Sequence, residues 1–253
     1  GYPVLADSPI GTCYLPNLII FYLLPTPIAF NLHYLFIFLT AAVGMYLLCR
    51  NFNLSKISST YAALAYAFSG FFIARIIHTS FIQVASFLPF IFLILLKYQD
   101  KKKNIYLLLF SLLVSQLIFA GYLQGLIYSL ISAFIFLLFY VKTKTEFTKL
   151  FLPILVSTIF GTILAAAQIL PTLELVNFST RDQGLGGELF SNSGSVKILL
   201  MFLHPFIFGN ISKEFIPTSA NIGYYWENIA FSGTLTPALA LSSLLILRKK
   251  KVI

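Results

Sequence analysis

The chain has 253 residues, of which 58% are hydrophobic and 10% charged, and its 17 Lys and Arg against 8 Asp and Glu give a net charge of +9. A soluble domain carries about 25% charged residues, so this composition, with a mean hydropathy of +0.89, excludes one and describes an integral membrane protein. The positive residues border apolar runs, as anionic headgroups and the inside-positive rule require. That sets nucleic acid aside and makes the lipid bilayer the expected partner.

Taken in chain order, the first element is an opening segment in which Asp7 precedes Ser8-Pro9. Residues 14–24 follow, apolar but bracketed by Pro16, Pro25 and Pro27, and these are expected to lie along the membrane surface as an interfacial helix. A span needs about 20 apolar residues. Seven runs qualify: 29–49, 57–74, 80–96, 104–120, 122–141, 150–170 and 229–247. Gly121 leaves almost no turn between the fourth and fifth, which predicts a tight hairpin. Residues 171–228 carry Gly184, Gly186, Gly187, Gly194 and the polar run Ser191, Asn192 and Ser193, and read as a long loop. Within it, residues 196–208 are apolar but broken by His204-Pro205, a second interfacial candidate. The expected organisation is one all-α polytopic domain over 1–253: a loop end with its interfacial helix (1–28), six spans (29–170), a long outer loop (171–228) and a seventh span (229–247).

Most cations fall in four groups on alternate passes: Arg50 with Lys56; Lys97 with Lys101, Lys102 and Lys103; Lys142, Lys144 and Lys149; and Arg248 with Lys249, Lys250 and Lys251. These mark the cytoplasmic face of a cell membrane, with the first residues outside and the last inside. Because residues before the first span must already be outside without a signal peptide to carry them, the chain is expected to be a fragment lacking at least one upstream helix. Cys13 and Cys49 then lie on opposite sides and cannot bridge. No CxxC or His/Cys spacing points to a metal, and no cofactor is indicated.

Six of the eight acidic residues (Asp7, Glu174, Asp182, Glu188, Glu214 and Glu227) belong to outer segments, so carboxylate chemistry is expected outside. No GxxxxGKS loop, GxSxG elbow or HExxH is present. Carboxylates and cations beside interfacial helices suit a lipid-linked phosphate substrate, with a carboxylate deprotonating an acceptor hydroxyl and Arg, Lys or His stabilising the departing phosphate. Asp7 is one candidate, although Asp before Ser-Pro is also a turn former. Arg75 and His78 cap the outer end of the second span; Arg75 runs against the inward bias of the other cations, and snorkelling to headgroups is the competing reading. If Pro171 opens a helix, Glu174 and Asn177 share a face, with an ion pair between Glu174 and Arg181 as the structural alternative. His204-Pro205 and Tyr224-Tyr225-Trp226 suit headgroup anchors, whereas Glu227 immediately before a span does not.

The order of these segments resembles the bacterial YfhO-type membrane proteins of the GT-C glycosyltransferase superfamily. The residues that carry the likeness are Gly1-Tyr-Pro-Val-Leu-Ala-Asp7, Tyr14-Leu-Pro-Asn-Leu18, Gly44-Met-Tyr-Leu-Leu48, Phe68-Ser-Gly-Phe-Phe-Ile-Ala-Arg-Ile-Ile-His78, Leu88-Pro89, Gln168-Ile-Leu-Pro-Thr-Leu-Glu174, Ser179-Thr-Arg181, His204-Pro205 and Glu227. The chain departs from that pattern at Ala120-Gly-Tyr-Leu-Gln124, where a His-Pro is expected, and at Phe87, where a Trp is expected. The resemblance implies transfer of a sugar from a polyprenyl-phosphate donor to a cell-envelope glycan or teichoic-acid-like acceptor. It implies phosphate or sugar contacts for Arg75, His78, Arg181 and His204, acid or hydrogen-bonding roles for Glu174 and Glu227, and a main base upstream of Gly1, which makes Asp7 the weaker candidate. The alternatives are a lipid-linked-sugar transporter or flippase, disfavoured because no span has Asp, Glu, Lys or Arg in its interior, and a noncatalytic envelope-assembly protein.

Overall fold

A computed structural model describes residues 2–141, 143–178, 196–208, 229 and 231–249. Among them the regular elements are all helical and none is a strand, so the fold is a polytopic helical membrane bundle. Five helical segments are long and apolar enough to cross a bilayer: Thr26–Asn51, Lys56–Ala74, Thr79–Lys101, Leu123–Tyr140 and Thr145–Leu164. Asn104–Phe119 is equally apolar but shorter. The chain divides into two compact units, Gly1–Ala63 with His78–Gln183 and Leu64–Ile77 with Gly184–Ile253.

In the first unit, the surface helix α1 (Leu15–Leu23) precedes α2 (Thr26–Asn51), and Pro16 and Pro27 sit in their first turns, where a missing N–H costs nothing. α2 shows how the membrane sorts side chains. Its buried positions are Ala29, His33, Ile37, Ala41, Gly44 and Cys49, mostly small, while Leu32, Leu35, Leu39, Val43 and Leu47 are exposed. In lipid there is no hydrophobic drive between helices, so small residues pack inward and bulky ones face the acyl chains. At Gly44 a Cβ would come within 2.7 Å of the Phe90 ring, which explains how α2 lies so close to α6.

α3 (Lys56–Ala67) begins in the first unit and ends in the second. The expected span 80–96 is two helices, α5 (Thr79–Ser86) and α6 (Leu88–Lys101), joined at Phe87. Pro89 causes the break, because its ring clashes with the carbonyl four residues earlier. α7 (Asn104–Phe119) and α8 (Leu123–Tyr140) form the tight hairpin at Gly121, whose φ of +86° is open to glycine. α9 (Lys144–Leu164) starts at a capped turn in which the Thr143 hydroxyl accepts from the Glu146 N–H. It makes the most extensive interface of the described bundle, with α7.

That interface is built from small residues. Ser157 and Gly161 on α9 and Ala165 at its C-terminal cap recur every fourth residue, and a Cβ at Gly161 would meet Ser111 O and the Val114 side chain of α7. The buried hydroxyls donate to carbonyls of their own helices, Ser111 to Leu107, Ser115 to Leu112 and Ser157 to Pro153. None therefore needs a partner across the interface, and the backbones approach closely.

The run 150–170 also differs from expectation. α9 ends at Leu164 and a separate helix, α10 (Ala166–Asn177), follows after Ala165, so Pro171 lies inside that helix rather than opening it. Arg50, the solvent-exposed turn Asp100 to Lys103, and Lys149 gather at one end of this unit. The opening segment, the Gly121 turn and α10 gather at the other.

In the second unit the stretch expected to complete the second span breaks after Ala67 and resumes as α4 (Gly70–Ala74). The Gly70 N–H donates to Phe231 O at 2.6 Å, and a Cβ there would overlap the Ile229 side chain. Residues 229 and 231 thus pack on α4, with Met201 fully buried in the same cluster. This contact moves the start of the last helix from the expected residue 229 to Leu235, after Gly233 with φ of +90°; α11 is Leu235–Lys249. Residues Val196–Phe202 form a 3-10 helix.

Candidate functional site

The end of the first unit opposite the Lys cluster is organised around the opening segment. Asp7 precedes a 3-10 turn, Ser8–Ile10, closed by Gly11 in the left-handed region at φ +67°. Its carboxylate accepts a hydrogen bond from the Tyr2 hydroxyl, and that bond to a carboxylate raises the pKa of the phenol. Asp7 is therefore both turn former and partly engaged acid.

Two polar side chains of α10 fasten this segment. Gln168, 2% exposed, donates from Nε2 to Leu5 O at 2.7 Å, and Thr172 donates from Oγ1 to Ala6 O at 2.9 Å. On the α7 side, the Leu15 N–H donates to Gln116 Oε1 at 3.0 Å. Between the strapped segment and α10 lies a groove of about 530 Å³ lined by Val4, Leu5, Pro171, Glu174, Leu175 and Phe178, among others. Among the described lining residues Glu174 is the carboxylate and the rest are apolar. The chemistry available is acceptance of a proton from a hydroxyl held against those walls, in a channel suited to an acyl or isoprenoid chain.

Replacing both straps, Gln168→Leu with Thr172→Val, removes two hydrogen bonds worth about 1 kcal/mol each. Hydrogen exchange over residues 2–14 is expected to accelerate about tenfold or more. Unchanged exchange would mean that the apolar contacts alone hold the segment.

The other anticipated residues are distributed differently. His78 caps α5, its ring centroid 5.4 Å from Phe81, which in turn stacks on Tyr122 at 3.7 Å. Arg75 belongs to the second unit, where it follows α4, is 8% exposed and holds its guanidinium carbon 5.9 Å from the Phe71 ring centre. His204, also in the second unit, is exposed, and its Nδ1 accepts from the Phe206 N–H at 3.2 Å in a local turn. Arg181 and Glu227 lie outside the described residues. The structure thus brings the Asp7 segment and the Glu174 helix together. Sequence reasoning did not single out Gln116, Gln168 or Thr172, although Gln168 and Thr172, four residues apart beside an apolar span, carry a visible signal. Among the described residues no three His, Cys, Asp or Glu side chains group in a way that would hold a metal ion.

No curated protein and no solved structure matches the chain. A family model does match, over residues 14–246, which is nearly its whole length and includes the bundle and α10. Its description, a membrane protein, agrees with the lipid-sorted helices found here. The chain belongs to the family of the 6-pyruvoyl-tetrahydropterin synthase related domain, a family of membrane proteins.

Proposed function

We propose that this protein transfers a sugar from a polyprenyl-phosphate-linked donor to a cell-envelope glycan or teichoic-acid-like acceptor, at the outer face of the bacterial cytoplasmic membrane. The observation that carries this reading is the groove beside α10, whose described lining is apolar apart from the Glu174 carboxylate, at the end of the first unit away from the Lys cluster. On the inside-positive rule that cluster faces the cytoplasm, which puts the groove on the side where lipid-linked sugars are consumed. Glu174 serves as proton acceptor or hydrogen-bond partner for the attacking hydroxyl, the walls Leu5, Leu175 and Phe178 receive the donor's chain, and the departing polyprenyl phosphate keeps its charge in water at the open side of the groove.

The test is complementation of cells deleted for the parent gene, with envelope polymers and lipid-linked sugars read by mass spectrometry. The wild-type gene restores one sugar substituent. Glu174→Gln is expected to leave that substituent missing, with its polyprenyl-phosphate sugar accumulating, because losing a positioned base slows transfer by about 10²–10⁴-fold. Full restoration by the Gln variant would remove Glu174 from the chemistry. An envelope unchanged by the deletion itself would overturn the transfer reading.

A further inference from the structure

A second cavity, of about 420 Å³, lies beside α1 in the first unit, lined by Thr12, Asn17, Phe21, Tyr22, Phe30 and His33 among others, with no Asp, Glu, Lys or Arg among its described lining residues. His33 is 3% exposed, and its Nδ1 is buried without a hydrogen-bond partner among the described residues. A buried polar atom in that state costs about 1–3 kcal/mol, which a ligand hydroxyl would recover. Asn17 is held in place beside it: its Oδ1 accepts from the buried Gln83 Nε2 at 3.0 Å, and its Nδ2 donates to Gly11 O at 3.5 Å. Phe21 connects the aromatic wall, with its ring centroid 5.0 Å from Phe30 and 5.8 Å from the His33 ring.

This lining selects by charge. Among the described residues no cation would meet a phosphate here, whereas a neutral head finds hydroxyl, amide and imidazole partners beside aromatic faces. Along α1, Leu15, Leu18, Ile19 and Leu23 are exposed and apolar, a surface for an acyl chain. We propose that this cavity binds the uncharged, polyhydroxylated head of a membrane-borne amphiphile, with its chain lying along α1. The proposal stands on the lining alone and does not depend on the sugar-transfer reading.

The chain has three histidines, so the experiment is ¹⁵N-histidine NMR of the full chain in phosphatidylcholine nanodiscs, with His33 assigned by His33→Phe and cross-checked by His204→Gln. Four probes of equal chain length are titrated: octyl β-D-glucoside, monooctanoylglycerol, octanol and octyl phosphate. A saturable shift of the His33 signal with the glucoside or the glycerol ester, absent with octanol and octyl phosphate, is expected, and the probe that acts identifies a sugar or a glycerol head. Asn17→Leu, and separately Thr12→Val, should weaken that binding about tenfold, roughly one hydrogen bond. No shift with either polyol probe, or an equal shift with octanol or octyl phosphate, overturns the proposal.

Discussion

Leucine at Gly161 is expected to drive α7 and α9 apart and to cost the protein more stability than any exposed substitution. A Cβ at Gly161 already sits 2.5 Å from Ser111 O and 2.9 Å from Val114 Cβ. The first neighbour is backbone and cannot rotate away, and three further carbons extend the overlap. Overpacking of this kind costs about 1–3 kcal/mol, occasionally more. It falls on the interface with the most contact in the described bundle. Thermal unfolding in detergent should show a lower midpoint for Gly161→Leu, with Gly161→Ala between it and wild type. Ser157→Ala is the control, since its hydroxyl bonds Pro153 O in its own helix and the smaller side chain keeps the close approach. An unshifted midpoint for the Leu variant would show that the two helices do not meet as described.

The second large effect concerns Gly121. Its φ of +86° disfavours any residue with a Cβ, and that Cβ would overlap the Ser8 carbonyl oxygen and lie 2.9 Å from Pro9 Cα. Neither neighbour is a flexible side-chain tip. Gly121→Val must therefore displace the turn Ser8–Ile10 from the α7–α8 hairpin, and with it the segment that bears Asp7 and walls the Glu174 groove. Cys13, partly exposed in that segment, is a built-in reporter, while Cys49 is buried near the end of α2. In a Cys49→Ser background, maleimide should modify Cys13 about tenfold faster in Gly121→Val than in the parent, on the order of 1–2 kcal/mol of lost docking. Equal rates would mean that the segment is held by Gln116, Gln168 and Thr172 without the hairpin.

Much of the bundle was legible without coordinates, and the reason is the solvent. A bilayer demands apolar runs of about 20 residues and internally satisfied backbones, so the expected runs 29–49 and 122–141 fall within three residues of the ends of helices Thr26–Asn51 and Leu123–Tyr140. Pro16, Pro25 and Pro27 similarly announce α1. What runs of hydropathy do not contain is where a helix stops for a tertiary reason. The run 57–74 carries no charged residue, yet it breaks where the Gly70 N–H turns to Phe231, a partner more than 150 residues away. The run 229–247 loses its first turn to the same contact.

The candidate site divides in the same way. Asp7 and Glu174 were visible singly, because carboxylates are scarce in this chain and both fall on the side without Lys clusters. Their common neighbourhood rests on Gln168 and Thr172 bonding carbonyls 163 and 166 residues earlier, which no local pattern encodes. His33 was visible only as a histidine near the end of a span; its burial and its unpartnered nitrogen follow from how α1 folds over α2. Membrane class, helix content and the ends that carry charge follow from residue chemistry summed along the chain, because transfer into lipid is nearly additive over residues. The groove, the neutral cavity and the breaks within helices follow from packing between distant segments, where a single missing Cβ or one side-chain amide sets the geometry.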